Sequence, residues 1–197
     1  RDCLLSRGLG DVYKRQQLGM TISFDCNYRS MLWSFDEARD IISRYLPYVD
    51  VLIGIEPLHL QDENGHDLKD GMSMQPDYEE QDRIFQAMAD RYHFKAIARH
   101  VRYTHSSSEN SLKAYLYYNG QTYESKLFRF QILDRVGGGD AFSSGLIYAL
   151  MNNYKPRDVV NFAVASSVMK HSIHGDTNIT DVESIQRLMN QSFDVQR

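Results

Sequence analysis

The run Asp134-Arg135-Val136-Gly137-Gly138-Gly139-Asp140-Ala141-Phe142-Ser143-Ser144-Gly145 constrains this chain more than any other. Apolar Phe130, Ile132 and Leu133 lead into three consecutive glycines; after the aspartate comes a small-residue segment of helical character, Ala141 to Leu150. The order is strand, glycine turn, helix N-terminus. The first amides of a helix have no intrahelical partner, and the helix dipole adds positive potential there. An anion, phosphate above all, suits such a turn. Asp140 would oppose that anion if binding were its only task. A carboxylate makes sense there when a hydroxyl must lose a proton to an arriving phosphoryl group.

Other readings of the loop compete. Asp140 as a plain helix N-cap is common chemistry. A dinucleotide fingerprint fails, because the third glycine of G-x-G-x-x-G would fall on Phe142. A Walker loop fails because no Lys-Ser/Thr pair follows the glycines. On motif logic alone, phosphoryl transfer and the N-cap reading both stand.

Along the chain, the pattern is α/β. Thr21–Asp25 alternates polar and apolar as a strand, and a polar loop Cys26-Asn27-Tyr28-Arg29 follows. Ser34 with Glu37 forms a capping box for a helix with Ala38, Ile41, Ile42 and Tyr45 on its apolar face. Val49–Ile55 reads as a strand buried on both faces. Pro57–Asp77 reads as a surface excursion, and Asp77 with Glu80 opens a helix facing inward through Ile84, Phe85, Met88 and Tyr92. A strand Ala96–Ala98 precedes a polar loop, His100–Ser111. Asn119-Gly120 predicts a two-residue hairpin turn, so the tyrosines Tyr115, Tyr117, Tyr118 and Tyr123 read as cross-strand pairs. A third parallel strand is expected to lead into the glycines. Helices Ala141–Asn152 and Pro156 to about Lys170 follow, with a last helix capped by Asp181. Helical crossovers imply parallel strands with helices on both faces.

The N-terminus has no apolar targeting core. Ser6–Gln16 instead matches, residue for residue, the in-frame translation of a transposase sequencing adaptor, so residues 1–16 are read as non-native. The native chain is then expected to begin no earlier than Gln17 and to be truncated upstream. That segment carries Arg1, Arg7, Lys14 and Arg15 against Asp2 and Asp11, a net +2. The chain's −4 therefore becomes −6 without it. An acidic chain without a basic stripe argues against nucleic-acid binding, and no apolar run is long enough to span a membrane. Only Cys26 then remains, which fits a reducing cytoplasm. His171 and His174, at helical spacing but without a third ligand nearby, read as an incidental helix end and not zinc, and no protein metal site is expected.

Asp134-x-x-Gly137-x-Gly139-Asp140 resembles the C-terminal signature D-T-x-G-A-G-D-x-F of the ribokinase-like (PfkB) carbohydrate kinases. Asn27, Tyr28, Arg29, Leu32 and Trp33 match the D-x-N-Y-R-x-x-L-W block of the 2-keto-3-deoxygluconate kinase branch. The resemblance spans Gln17 to about Leu188. It implies the C-terminal part of a ribokinase-like three-layer α/β/α fold with a mainly parallel sheet, ATP with Mg²⁺, and a small sugar acid phosphorylated at its terminal hydroxyl. It casts Asp140 as catalytic base and Gly137, Gly138 and Gly139 as the anion hole. Arg29 would meet the substrate carboxylate and Asp176 the sugar hydroxyls. It places Arg99 and Arg102, after the Ala96–Ala98 strand, near ATP phosphates, and Ala165, Val168 and Met169 near adenine. Asp134 would hold backbone or help bind a monovalent cation. The usual Thr is Arg135 here, and the family's N-x-x-E is replaced by Ile55-Glu56-Pro57-Leu58, where Glu56 could substitute. A fructokinase-like enzyme and a non-catalytic nucleotide-binding remnant are the alternatives. Relatives pair through a lid that would lie upstream, implying a homodimer of the intact protein; the 197-residue polypeptide alone is expected to fold poorly and turn over little.

Overall fold

The computed structural model describes residues 14, 15 and 17–190. The expected adaptor-derived segment therefore lies outside the described residues, apart from Lys14 and Arg15. Two compact units divide the chain: residues 1–99 with 116–122, and residues 100–115 with 123–197.

The first unit carries β1 (Ser23–Asp25), α1 (Phe35–Ser43), a 3₁₀ turn (Leu46–Tyr48), β2 (Val51–Ile53), α2 (Tyr78–Tyr92) and the start of β3 (Ala96–Thr104). Strands β1, β2 and β3 pair in parallel, Ser23 opposite Val51 and Val51 opposite Ala96. β2 is buried along its whole length, as a parallel strand between covered faces must be. Both predicted caps are present: Ser34 Oγ accepts the Glu37 N–H at 3.2 Å, and Asp77 Oδ1 accepts the Glu80 N–H at 2.8 Å. Ala38 and Ile42 of α1 and Ile84, Phe85 and Met88 of α2 are buried, as the apolar periodicity requires.

The excursion Pro57–Asp77 is not wholly on the surface. Leu58 and Leu60 are buried, and so is Lys69, whose ammonium pairs with Asp67 at 2.7 Å and reaches the Leu58 carbonyl at 3.0 Å. A satisfied ion pair lets this charged stretch fold inward.

The second unit holds the remainder of β3, most of β4 (Glu109–Tyr118), the end of β5 (Gln121–Glu124), β6 (Phe128–Gln131), α3 (Gly138–Met151), α4 (Pro156–Lys170) and α5 (Val182–Asn190). The stretch expected to be a loop, His100–Ser111, is mostly strand: β3 runs to Thr104, turns tightly where the His105 and Ser106 amides meet the Glu109 carbonyl, and continues as β4. Polar side chains mislead there because the end of β3 is only half-covered. The strand before the glycines is also corrected. β6 runs antiparallel to β4, Leu112 opposite Phe128. The Asn119-Gly120 turn has φ of 50° and 84°, the positive pair a type I′ hairpin needs. Tyr115 and Tyr117 are core residues.

Helices α3 and α4 pack face to face. A Cβ on Gly145 would stand 2.8 Å from the Ser166 Cβ, so glycine sets how closely they approach. Tyr148 stacks on Phe162 with centroids 5.4 Å apart. α4 is buried along nearly its whole length, and Pro156 occupies its first turn as expected. Asp181 caps α5 through a 2.7 Å bond from the Ser184 N–H. Among the described residues no helix is long and apolar enough to cross a membrane.

Candidate active site

The glycine loop folds as a left-handed turn feeding a helix. Gly137, at φ 76°, is the N-cap of α3; Gly138, Gly139 and Asp140 form its first turn. The helix thus starts three residues earlier than its apolar pattern suggests. The first closing bond is from the Ala141 N–H to the Gly137 carbonyl, 2.9 Å. Among the described residues no backbone bond engages the amides of Gly137, Gly138, Gly139 or Asp140. They are the open donors that an anion requires.

Asp140 does not cap α3. It lies in the first turn, exposed, and its carboxylate has no hydrogen bond or ion pair among the described residues. A carboxylate at a helix N-terminus gains from the dipole. One left without partners is available for a proton.

Each glycine has its own reason. A Cβ on Gly137 would stand 2.6 Å from the Asp176 backbone oxygen, and one on Gly138 would stand 2.5 Å from Cε1 of His171. A Cβ on Gly139 would meet nothing within 4 Å. Of the three, only Gly139 faces open space.

Asp134 straps the loop. Its Oδ1 accepts the Val136 N–H and its Oδ2 the Gly175 N–H, both at 2.9 Å. Those bonds, the Val136 one first, hold its carboxyl below the usual range. Of the two expected roles this is the backbone-holding one. Asp176 follows in the exposed turn after α4, with its main chain against Gly137.

Two residues beneath the loop were not predicted. Lys170, fully buried, donates to the carbonyls of Ile173 and Gly175. His171, 1% exposed, donates from Nδ1 to the Ser167 carbonyl at 2.7 Å, which leaves Nε2 a buried acceptor with no partner among the described residues. Burial pushes its pKa down, and the charges of Arg102, Lys170 and Arg135 push the same way. Three positive charges thus lie near the His171 ring. The visible signal was Lys170-His171 closing an otherwise apolar helix.

The remaining predicted residues divide. Arg102 lies within β3 and not after it, near enough to Arg135 and His171 to be felt by both. Arg135 itself donates to the Ser107 carbonyl at 2.7 Å. Ala165 is fully buried and Val168 nearly so, both within the core. Met169 is half-exposed and borders a shallow groove of about 260 Å³ with Ser184, Arg187 and Leu188.

In the first unit, Arg29 sits in the loop after β1. Asn27 turns the chain there at φ 37°, its N–H bound to Asp25 Oδ1 at 3.0 Å. The Arg29 guanidinium is exposed and donates to the Tyr28 carbonyl. Cys26 beneath it is buried; burial first, then Asp25 and Glu56, push its thiol up to about 12, which makes it inert. Arg99 is also within β3 and is tied to α2 through Gln81 at 3.0 Å. Glu56 faces Lys69 at 3.6 Å, and burial raises its carboxyl against that charge.

The sequence family described as pfkB family carbohydrate kinase matches residues 12–182. The chain belongs to the pfkB family of carbohydrate kinases. Among pfkB relatives it is similar to the 2-dehydro-3-deoxygalactonokinase of Haloferax volcanii, 24% identical over 173 residues covering 88% of this chain and 48% of that protein. The crystal structure of the Thermotoga maritima 2-dehydro-3-deoxygluconokinase superposes with a TM-score of 0.79 at 30% identity, over 91% of this chain and 53% of that one. A pfkB family carbohydrate kinase from Listeria grayi gives 0.79 at 28%, over 95% and 55%. The chain spans about half the length of these relatives. The ribokinase-like α/β class expected from the sequence is the observed one.

Proposed function

We propose that this chain carries the phosphate-handling and catalytic part of a kinase that phosphorylates 2-keto-3-deoxygluconate at its terminal hydroxyl, using ATP. The carrying observation is an exposed carboxylate, Asp140, in the same helical turn as the amides of Gly137, Gly138 and Gly139, with neither the carboxylate nor those amides partnered among the described residues.

In this reading the amides hold the transferring phosphoryl while its charge shifts, as an oxyanion hole does. Arg102 and Arg135 supply further positive potential. Asp140 takes the proton of the acceptor hydroxyl. Arg29 pairs with the sugar acid's carboxylate, for which a planar fork of donors is suited, and Asp176 accepts from its hydroxyls. Met169 borders the adenine. Mg²⁺ would come with ATP, held by its phosphates and by water.

The test is Asp140→Asn in the intact kinase. Turnover should fall by about 10²–10⁴-fold while ATP affinity holds; unchanged turnover would remove Asp140 as the base.

A second reading has one observation behind it. Where the family carries N-x-x-E, Glu56 is engaged with Lys69, which suits a nucleotide-binding remnant without catalysis. ADP formation from Mg·ATP and the sugar acid separates the two readings.

A further inference from the structure

Lys170 ends α4 at 0% exposure, and the carboxylate that feels its charge, Asp134, stands beyond ion-pair distance. A buried ammonium is normally paired with a carboxylate. Among the described residues none lies within ion-pair distance of its Nζ. Instead Nζ donates to the Ile173 carbonyl at 3.1 Å and the Gly175 carbonyl at 2.5 Å, at the negative end of the α4 dipole. Its stem lies beside Gly137, where an added Cβ would stand 3.1 Å from Lys170 Cε. The turn bearing those carbonyls is the one tied to Asp134 by the Gly175 N–H.

A monovalent cation in this place, which the family resemblance implies beside Asp134, needs a shell of oxygens. The residues present do not fit one. Two carbonyls of the turn are spent on the Lys170 ammonium, and both Asp134 oxygens are engaged by backbone N–H groups. A second cation beside a buried ammonium would also meet strong repulsion at low dielectric.

We propose that Lys170 is a built-in cation, its ammonium holding the turn beneath the glycine loop in place of a free potassium or sodium ion. A tethered charge needs no binding equilibrium and is not diluted away. Folding of this turn and nucleotide binding at the loop are then indifferent to the monovalent salt. The nucleotide part rests on the reading of the loop as a phosphate site.

The test uses the full-length protein in choline chloride, replaced stepwise by potassium or sodium chloride at a constant ionic strength of about 0.1 M. ATP affinity should change by less than about twofold, the melting temperature should stay level, and thallium(I), a potassium probe, should give no saturable NMR broadening. A saturable gain in affinity or melting temperature with potassium overturns the proposal, as does saturable thallium(I) binding at this turn. Lys170→Ala should lose stability in choline and recover it, with saturable thallium(I) binding, in potassium. A folded Lys170→Ala protein indifferent to both ions overturns the proposal. If that variant stays unfolded in every salt, the wild-type melting and thallium arms decide. If no salt permits ATP binding, the phosphate-site reading fails, while the same two arms still decide the role of Lys170.

Discussion

Asp134 and Gly175, forty-one residues apart, are joined by a 2.9 Å hydrogen bond from the Gly175 amide to Asp134 Oδ2. The other oxygen holds Val136, so one carboxylate fixes the entry to the glycine loop and the turn that carries Asp176. Both bonds favour the ionised form and hold the carboxyl below its ordinary value of 3.8. Such a group contributes stability that is present above 3.8 and lost as pH falls through the lower folded value. Asp134→Asn should therefore melt below the wild type at neutral pH, the gap closing in acid below that range. Thermal melts across pH check it; a gap that persists unchanged in strong acid argues against the strap.

The three glycines should respond differently to alanine. Gly137→Ala combines a left-handed backbone with a backbone oxygen 2.6 Å away, and should cost at least about 2 kcal/mol. Gly138→Ala drives a methyl into the His171 ring and should cost about 1–3 kcal/mol. Gly139→Ala has open space and a helical backbone, so stability should hold or rise by up to about 1 kcal/mol. Only its nucleotide affinity should suffer, because the methyl fills the approach to the amides. Denaturant midpoints and ATP titrations of the three variants test the order.

His171 predicts a second pH dependence. Burial, joined by the positive charges of Arg102, Lys170 and Arg135, lowers its pKa from 6.5. The unfolded chain then takes up a proton before the folded one as pH falls through 6.5. Stability is full above that value, declines below it, and levels off once the folded value is passed. His171→Asn, which keeps a donor for the Ser167 carbonyl, should flatten that decline. Urea midpoints at a series of pH values measure it, and an equal slope in the variant would exclude His171 as its source.

Much of this was legible in the sequence because short-range chemistry wrote it. Ser34, Asp77 and Asp181 cap their helices, and Asn119-Gly120 turns the hairpin, through bonds closed within a few residues. What the sequence concealed depends on contacts made at longer range. β3 extends to Thr104 because a neighbouring strand pairs with polar residues that read as loop. Lys69 is buried by virtue of Asp67 and the Leu58 carbonyl. Lys170 is tolerated in the core only because the turn that follows it presents two carbonyls. At the site, Asp140, the glycines and the backbone-holding Asp134 could be read as a motif, whereas the layer beneath them, Lys170 and His171, is set by burial and by carbonyls that no motif marks.

Arg29 offers the sharpest test of substrate class. Its guanidinium is exposed and donates only to the neighbouring Tyr28 carbonyl among the described residues, which leaves most of its donors for a ligand. The loop is shaped by Asn27 and the Asp25 carboxylate, so changing Arg29 should not disturb it. Lysine keeps the charge and loses the bidentate fork, and a hydrogen bond to a charged group is worth about 1.5–3 kcal/mol. In the intact kinase, Arg29→Lys should therefore raise KM for 2-keto-3-deoxygluconate by about 10- to 100-fold, with kcat and melting temperature little changed. A neutral sugar such as fructose should show no such penalty. Equal KM values for the acid in wild type and variant would point to a kinase of neutral sugars, whose substrate offers Arg29 no carboxylate to hold.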